Sequence, residues 1–132
     1  MIIHGISQKY FKAIDYFGDK LKLPKDIILE FSYSRKIPML GHCWESDESI
    51  FSRVPIYCVQ LKTGQDNQSL LETIAHEMCH IKQYVNHEIT ASLNTWRGIY
   101  VKDEPWEIEA EDFAINVYSE LNNIRVKNEK KE

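Results

Sequence analysis

The residues that most clearly carry chemistry are His76, Glu77 and His80, spaced H-E-x-x-H in the run from His76 to His80. Around them Leu70, Leu71, Ile74, Ala75, Met78, Ile81 and Val85 recur at helical spacing, which predicts a helix over Leu70 to Val85. Residues four apart on a helix project from one face, one turn apart, so His76 and His80 can offer a nitrogen each to one metal ion. Glu77 sits about 100° further round and is poorly placed as a third ligand. It can instead accept the proton of a water held by the metal, which is the mechanical meaning of this spacing. The rival reading is a chance motif, with two histidines bonded to backbone carbonyls. The apolar residues on both sides of the motif favour a buried functional helix.

A catalytic zinc needs a third protein ligand and an open position. One option is His87, but a histidine ligand on the same turn of chain calls for glycine three residues after His80 and histidine six after it. Gln83 and Asn86 stand there instead, and His87 is one residue out of register. The better option is the acidic run Glu107, Glu109, Glu111 and Asp112. Within it Glu109 leads, because the small residue Ala110 beside it lets two helices approach closely. Trp106 and Phe113 are read as facing the core, which would turn Glu109 inward and Glu107 and Glu111 to solvent.

The elements that position these residues follow from the rest of the chain. Its 132 residues suit one domain with one core, with a charged tail from about residue 125. Ile6 to Leu21 reads as a helix. Asp26 to Arg35, Met39 to Trp44 and Ile56 to Lys62 read as strands, with an exposed turn after Trp44. Asn94 to Val101 reads as loop, with room for a short strand. Asp103, Glu104 and Pro105 mark the start of a second long helix, Trp106 to Ile124. This order predicts an α+β fold.

Composition narrows the function classes. Hydrophobic residues make up 43% and charged residues 27%, ordinary globular values. The net charge of −4 argues against autonomous nucleic-acid binding. The N-terminal run from Met1 to Phe17 does not read as a secretory signal, and no run is long enough to be expected to span a membrane. Cys43, Cys58 and Cys79 have no disulfide or zinc-ribbon spacing, and a cytoplasmic compartment is expected.

The HEMCH run followed by WEIEAEDFA resembles the gluzincin class of zinc peptidases, including minimal gluzincins and the peptidase domain of ImmA/IrrE-type proteins. A more distant resemblance is to SprT-like proteins, whose third histidine has no counterpart in register here. The resemblance covers about half the chain, from Ile56 to Leu121. It implies a zincin-like fold, with a small twisted sheet packed on an active-site helix and a ligand-bearing C-terminal helix. It implies Zn²⁺ on His76, His80 and Glu109, with Glu77 as general base and a peptide or protein as substrate, cleaved as an endopeptidase would. The class often carries an aspartate four residues after the third ligand; Phe113 stands at that place relative to Glu109. The strand Ile56 to Lys62 is the expected rim for an extended peptide.

Other polar residues are weaker candidates. Tyr100, Arg97 and Tyr118 could stabilise an oxyanion, with Tyr118 better read as packing. His42 and Cys43 lack partners at ligand spacing. The alternative function is a zinc-containing regulatory or protein-binding module without proteolysis. Intact Glu77 argues against it, because a purely structural site needs no base. A DNA-bound protease partner is disfavoured by the acidic balance.

Overall fold

The computed structural model describes residues 1–89 and 104–130, with side chains described as far as residue 125. The element order is strand β1 (Ile2–His4), helix α1 (Phe11–Leu21), strands β2 (Ile28–Ser34), β3 (Gly41–Glu45) and β4 (Ile56–Lys62), helix α2 (Asn67–Val85) and helix α3 (Pro105–Lys130). Short 3-10 turns at Gln8–Tyr10 and Asp47–Ile50 precede α1 and follow β3. The expected α+β class is found, as a four-stranded mixed sheet with three helices. The segment Asn94 to Val101, with Arg97 and Tyr100, lies outside the described residues.

The sheet order is β1-β2-β4-β3, with β1, β2 and β4 parallel and β3 antiparallel to β4. Strand alternation sends Leu29, Phe31, Tyr57, Val59, Leu61 and Cys43 to one buried face. There they meet Ile14 and Phe17 of α1 and Ile74, Met78 and Ile81 of α2 in one apolar cluster. The partner residues in the register, such as Glu30, Cys58, Gln60 and Trp44, stay half-buried. Helix α3 packs along α2. It also reaches α1, where Tyr16 donates to Glu120 at 2.9 Å and Lys20 pairs with the same carboxylate at 3.3 Å.

Several boundaries differ from the sequence reading. Helix α2 starts three residues earlier than Leu70, because Asp66 accepts a hydrogen bond from the Ser69 N–H at 2.8 Å and so caps an additional turn. Gly64, at φ +87°, makes the tight turn from β4 into that cap. Helix α3 begins at Pro105, where a missing N–H costs nothing, and runs on through the charged end to Lys130. Strand β1 was not expected; three residues are too few to show a period, and their pairing with Ile28, Leu29 and Glu30 is what makes them a strand.

One expectation about the sheet is corrected. Ile56–Lys62 is not a rim: β4 is bonded to β2 on one side and β3 on the other. Among the described residues β3 is the end strand on that side, and it borders α2. No described helix is long and apolar enough to cross a membrane.

Candidate metal centre

Helix α2 carries His76 and His80 one turn apart, as their spacing requires. Opposite them the first turn of α3 presents a carboxylate, and that carboxylate belongs to Glu107. Its Oε2 lies 3.2 Å from His76 Nε2 and its Oε1 lies 2.9 Å from His80 Nε2. The two histidine Nε2 atoms are 3.2 Å apart. Among the described residues this is the one group of three ligand-type side chains close enough for a single ion, with ligand atoms within 4.8 Å of one another.

The carboxylate that the structure places beside the two histidines is thus Glu107, not Glu109, which was expected as the third ligand. The buried stripe of α3 is Glu107, Ala110, Ala114 and Val117, at the three- and four-residue intervals of one helix face. Ala110 and Ala114 do permit a close approach to α2, but the residue they share a face with lies three before Ala110, not one before it. Trp106 and Phe113 sit half-buried on the flank of this stripe rather than at its centre. Glu109 points the other way, to Lys82 Nζ at 3.0 Å and to Gln83 Nε2 at 2.7 Å. Those hydrogen bonds outweigh its desolvation and hold its carboxyl below the usual range.

Counted from Glu107, the residue four positions further on is Glu111, whose Oε2 is 3.3 Å from His76 Nδ1. His80 is held in the same way from behind: its Nδ1 donates to Gln83 Oε1 at 2.7 Å. Each histidine thus has its Nδ1 engaged by an acceptor and its Nε2 turned to the shared site, the arrangement typical of metal-ligating imidazoles.

The electrostatics are strained as they stand. Burial disfavours charge on both His80 and Glu107, but their mutual hydrogen bond overcomes it. With help from the Glu77 carboxylate, it pushes His80 up to about 9. Glu107, bonded to both histidines, falls to about 2. Glu77 is 4% exposed, and burial raises its carboxyl above the usual range despite the two nearby histidines. Its Oε2 is buried with no hydrogen-bond partner among the described residues.

A cleft of about 440 Å³ opens beside these groups. Its lining includes Met39, Leu40, Gly41, His42, Cys43, Thr73, His76, Glu77, His80, Glu107, Glu111 and Ala114. Strand β3 comes close to α2 here because residue 41 is glycine; a Cβ at that position would lie 2.7 Å from Thr73 Cγ2 and 3.3 Å from Glu77 Cγ.

The other candidates fall away from the centre. His87 is exposed just past the end of α2, at φ +58°. His42 donates to Gln60 Oε1 at 2.6 Å and stacks on Trp44. The Cys43 thiol is directed at the Glu77 carbonyl, 3.5 Å away. Burial, with Glu109 nearby, pushes the Cys79 thiol up to about 12, which disfavours a thiolate ligand. Tyr118 packs against the core. Comparison of the chain with protein families, with curated proteins and with solved structures finds no match.

The donor set fits a metal. The two ring nitrogens stand 3.2 Å apart, and each lies about as far from its own oxygen of the Glu107 carboxylate, 3.2 Å from Oε2 and 2.9 Å from Oε1, so one ion could be reached by all three side chains. Two imidazole nitrogens and one carboxylate are ligand types that could hold a transition-metal ion. The unpartnered Glu77 oxygen beside a cleft is a polar group with an unused bond to make, and such groups in native structures call for an explanation.

Proposed function

We propose that the chain is a zinc-dependent peptidase of the gluzincin type, with His76, His80 and Glu107 holding the ion and Glu77 acting as general base. The observation that carries this reading is the convergence of the two Nε2 atoms and the Glu107 carboxylate beside the buried, unpartnered Oε2 of Glu77. The acid four residues after Glu107, in contact with His76 Nδ1, supports the same class. A structural zinc site has no use for a desolvated carboxylate at its side, so the regulatory module is the weaker reading.

A zinc ion bound there would acidify a water and polarise a carbonyl. The chain's own residues supply the rest. Glu111 and Gln83 hold the two imidazole rings in orientation. Burial makes Glu77 a stronger base than a solvated carboxylate, suited to taking a proton at Oε2 from the attacking water and delivering it to the leaving amine. The substrate lies in the cleft between β3 and α2. Antiparallel alternation, fixed by the Lys62 N–H to Leu40 carbonyl bond, turns the N–H and C=O of Gly41 away from β4 and towards that cleft. An extended peptide can pair with them.

The test is cleavage of a broad library of extended peptides by the zinc-loaded chain, read by mass spectrometry beside Glu77→Gln. Cleavage by the wild type and none by a variant that still holds zinc is the expected result. Equal cleavage by the two proteins would remove Glu77 from the mechanism.

A further inference from the structure

Gln83 is neither a ligand nor part of the cleft wall, yet its side chain is 1% exposed and all its polar groups are engaged. Its Nε2 donates to the Trp106 carbonyl at 2.9 Å and to Glu109 Oε1 at 2.7 Å. Neither partner can donate, so the amide has one permitted orientation, with Oε1 facing the other way. Oε1 accepts from His80 Nδ1 at 2.7 Å. The proton that the ring keeps on metal binding is thereby assigned to Nδ1. The lone pair offered to an ion is at Nε2, the atom that faces Glu107 and His76. The chain of bonds is anchored at its far end, where Lys82 Nζ holds the second oxygen of Glu109 at 3.0 Å.

The same amide ties two elements together. Trp106, whose carbonyl it holds, is the residue before Glu107. One side chain therefore fixes both the ring orientation of the second histidine on α2 and the backbone beside the carboxylate on α3. Glu109, though it does not reach the histidines, orients Gln83.

We propose that Gln83 is the positioning residue of this metal centre: it commits His80 Nε2 to the ion and holds the first turn of α3 where Glu107 meets it. The inference rests on the metal reading given above. A residue that only packed α2 on α3 would lower the melting temperature of the metal-free protein and leave the zinc affinity of the folded protein alone. A positioning residue moves the affinity itself.

The experiment measures zinc affinity by chelator competition, well below each variant's melting temperature. It compares the full chain with Gln83→Leu, Gln83→Glu, Glu109→Gln and the swap Gln83→Glu/Glu109→Gln. Gln83→Leu should bind about 10- to 100-fold more weakly, the usual range for losing a partner behind a histidine ligand. Gln83→Glu should do the same, because it sets one carboxylate against another. Glu109→Gln keeps an acceptor for the amide and should change affinity less than about threefold. The swap restores a donor facing an acceptor between positions 83 and 109 and keeps an oxygen on His80 Nδ1, while the Trp106 carbonyl still lacks its donor, so it should recover part of the loss, up to about tenfold over Gln83→Glu alone. If Gln83→Leu does not fold, the recovery in the swap decides, and no recovery overturns the proposal. A wild type that binds zinc through His76 and His80, beside a folded Gln83→Leu within about twofold of it, removes this inference alone. A wild type that binds no zinc removes the metal reading and this inference together.

Discussion

Gly41→Ala is the sharpest test of how the fold brings β3 to the centre. The added Cβ would sit 2.7 Å from Thr73 Cγ2, 3.2 Å from the Gln60 carbonyl oxygen and 3.3 Å from Glu77 Cγ. Carbon atoms in ordinary contact are about 3.5–4.0 Å apart, so β3 or Thr73 must yield by roughly 1 Å. Thr73 cannot turn away easily, because its hydroxyl shares its one proton between two acceptors, Gln65 Oε1 at 2.7 Å and the Ser69 carbonyl at 2.8 Å. Overpacking of this kind costs about 1–3 kcal/mol. Alanine restores about 0.4–1 kcal/mol by restricting the unfolded chain. A net loss of about 1–2 kcal/mol is expected from urea unfolding, or roughly 4–8 °C in melting temperature for a chain of this size. Thr73→Ser removes the clashing methyl and keeps both hydroxyl bonds. Combined with Gly41→Ala it should therefore show a favourable coupling of about 1 kcal/mol in a double-mutant cycle. Gly41→Ala as stable as the wild type, or a coupling below about 0.5 kcal/mol, would refute the close approach of β3 to α2.

Two further outcomes follow from the titrating groups. With His80 at about 9 in the metal-free protein, zinc binding at pH 7 must displace its proton. Calorimetry in buffers of different ionisation enthalpy should show about one proton released, and a value near zero would contradict the bond between His80 and Glu107. In the metal-free protein, His80 is raised from 6.5, so its stabilising contribution is complete below pH 6.5 and disappears as pH rises through about 9. Glu107 is lowered from 4.5 to about 2, so its contribution is complete above pH 4.5 and disappears as pH falls through about 2. Glu77, raised from 4.5, acts against Glu107 on the acid side. Melting in chelator should therefore be highest near pH 5–6 and fall towards pH 9; equal melting at pH 6 and pH 9 would count against the His80 pairing.

Much of this arrangement was legible in the sequence, and the parts that were not have physical reasons. The helix carrying His76 and His80 shows itself because motif and apolar period agree over its length, and β4 matches its expected bounds residue for residue. The lateral order of strands has no local signature. Chain order set β4 next to the active-site helix, but it could not show that β3 folds back outside it. The sequence reading puts the carboxylate beside the histidines two residues too late, because Trp106 and Phe113 are large and draw the apolar face towards themselves. The small residues Ala110 and Ala114, which pack tightest, define the true face, and stepping back three from Ala110 gives Glu107. Gln83 registered in the sequence only as a position where one class of zinc peptidase has glycine. Its role depends on contacts with α3, which no spacing within α2 can reveal.

The central claim is that His76, His80 and Glu107 hold one catalytic metal ion. It is tested most directly by zinc per chain and zinc affinity in the wild type, Glu107→Ala and Glu109→Ala, measured on folded protein. The account predicts close to one zinc in the wild type, a loss of about a hundredfold or more in affinity in Glu107→Ala, and no more than about a tenfold change in Glu109→Ala. Zinc retained in Glu107→Ala and lost in Glu109→Ala, or no zinc bound by the wild type, would contradict it.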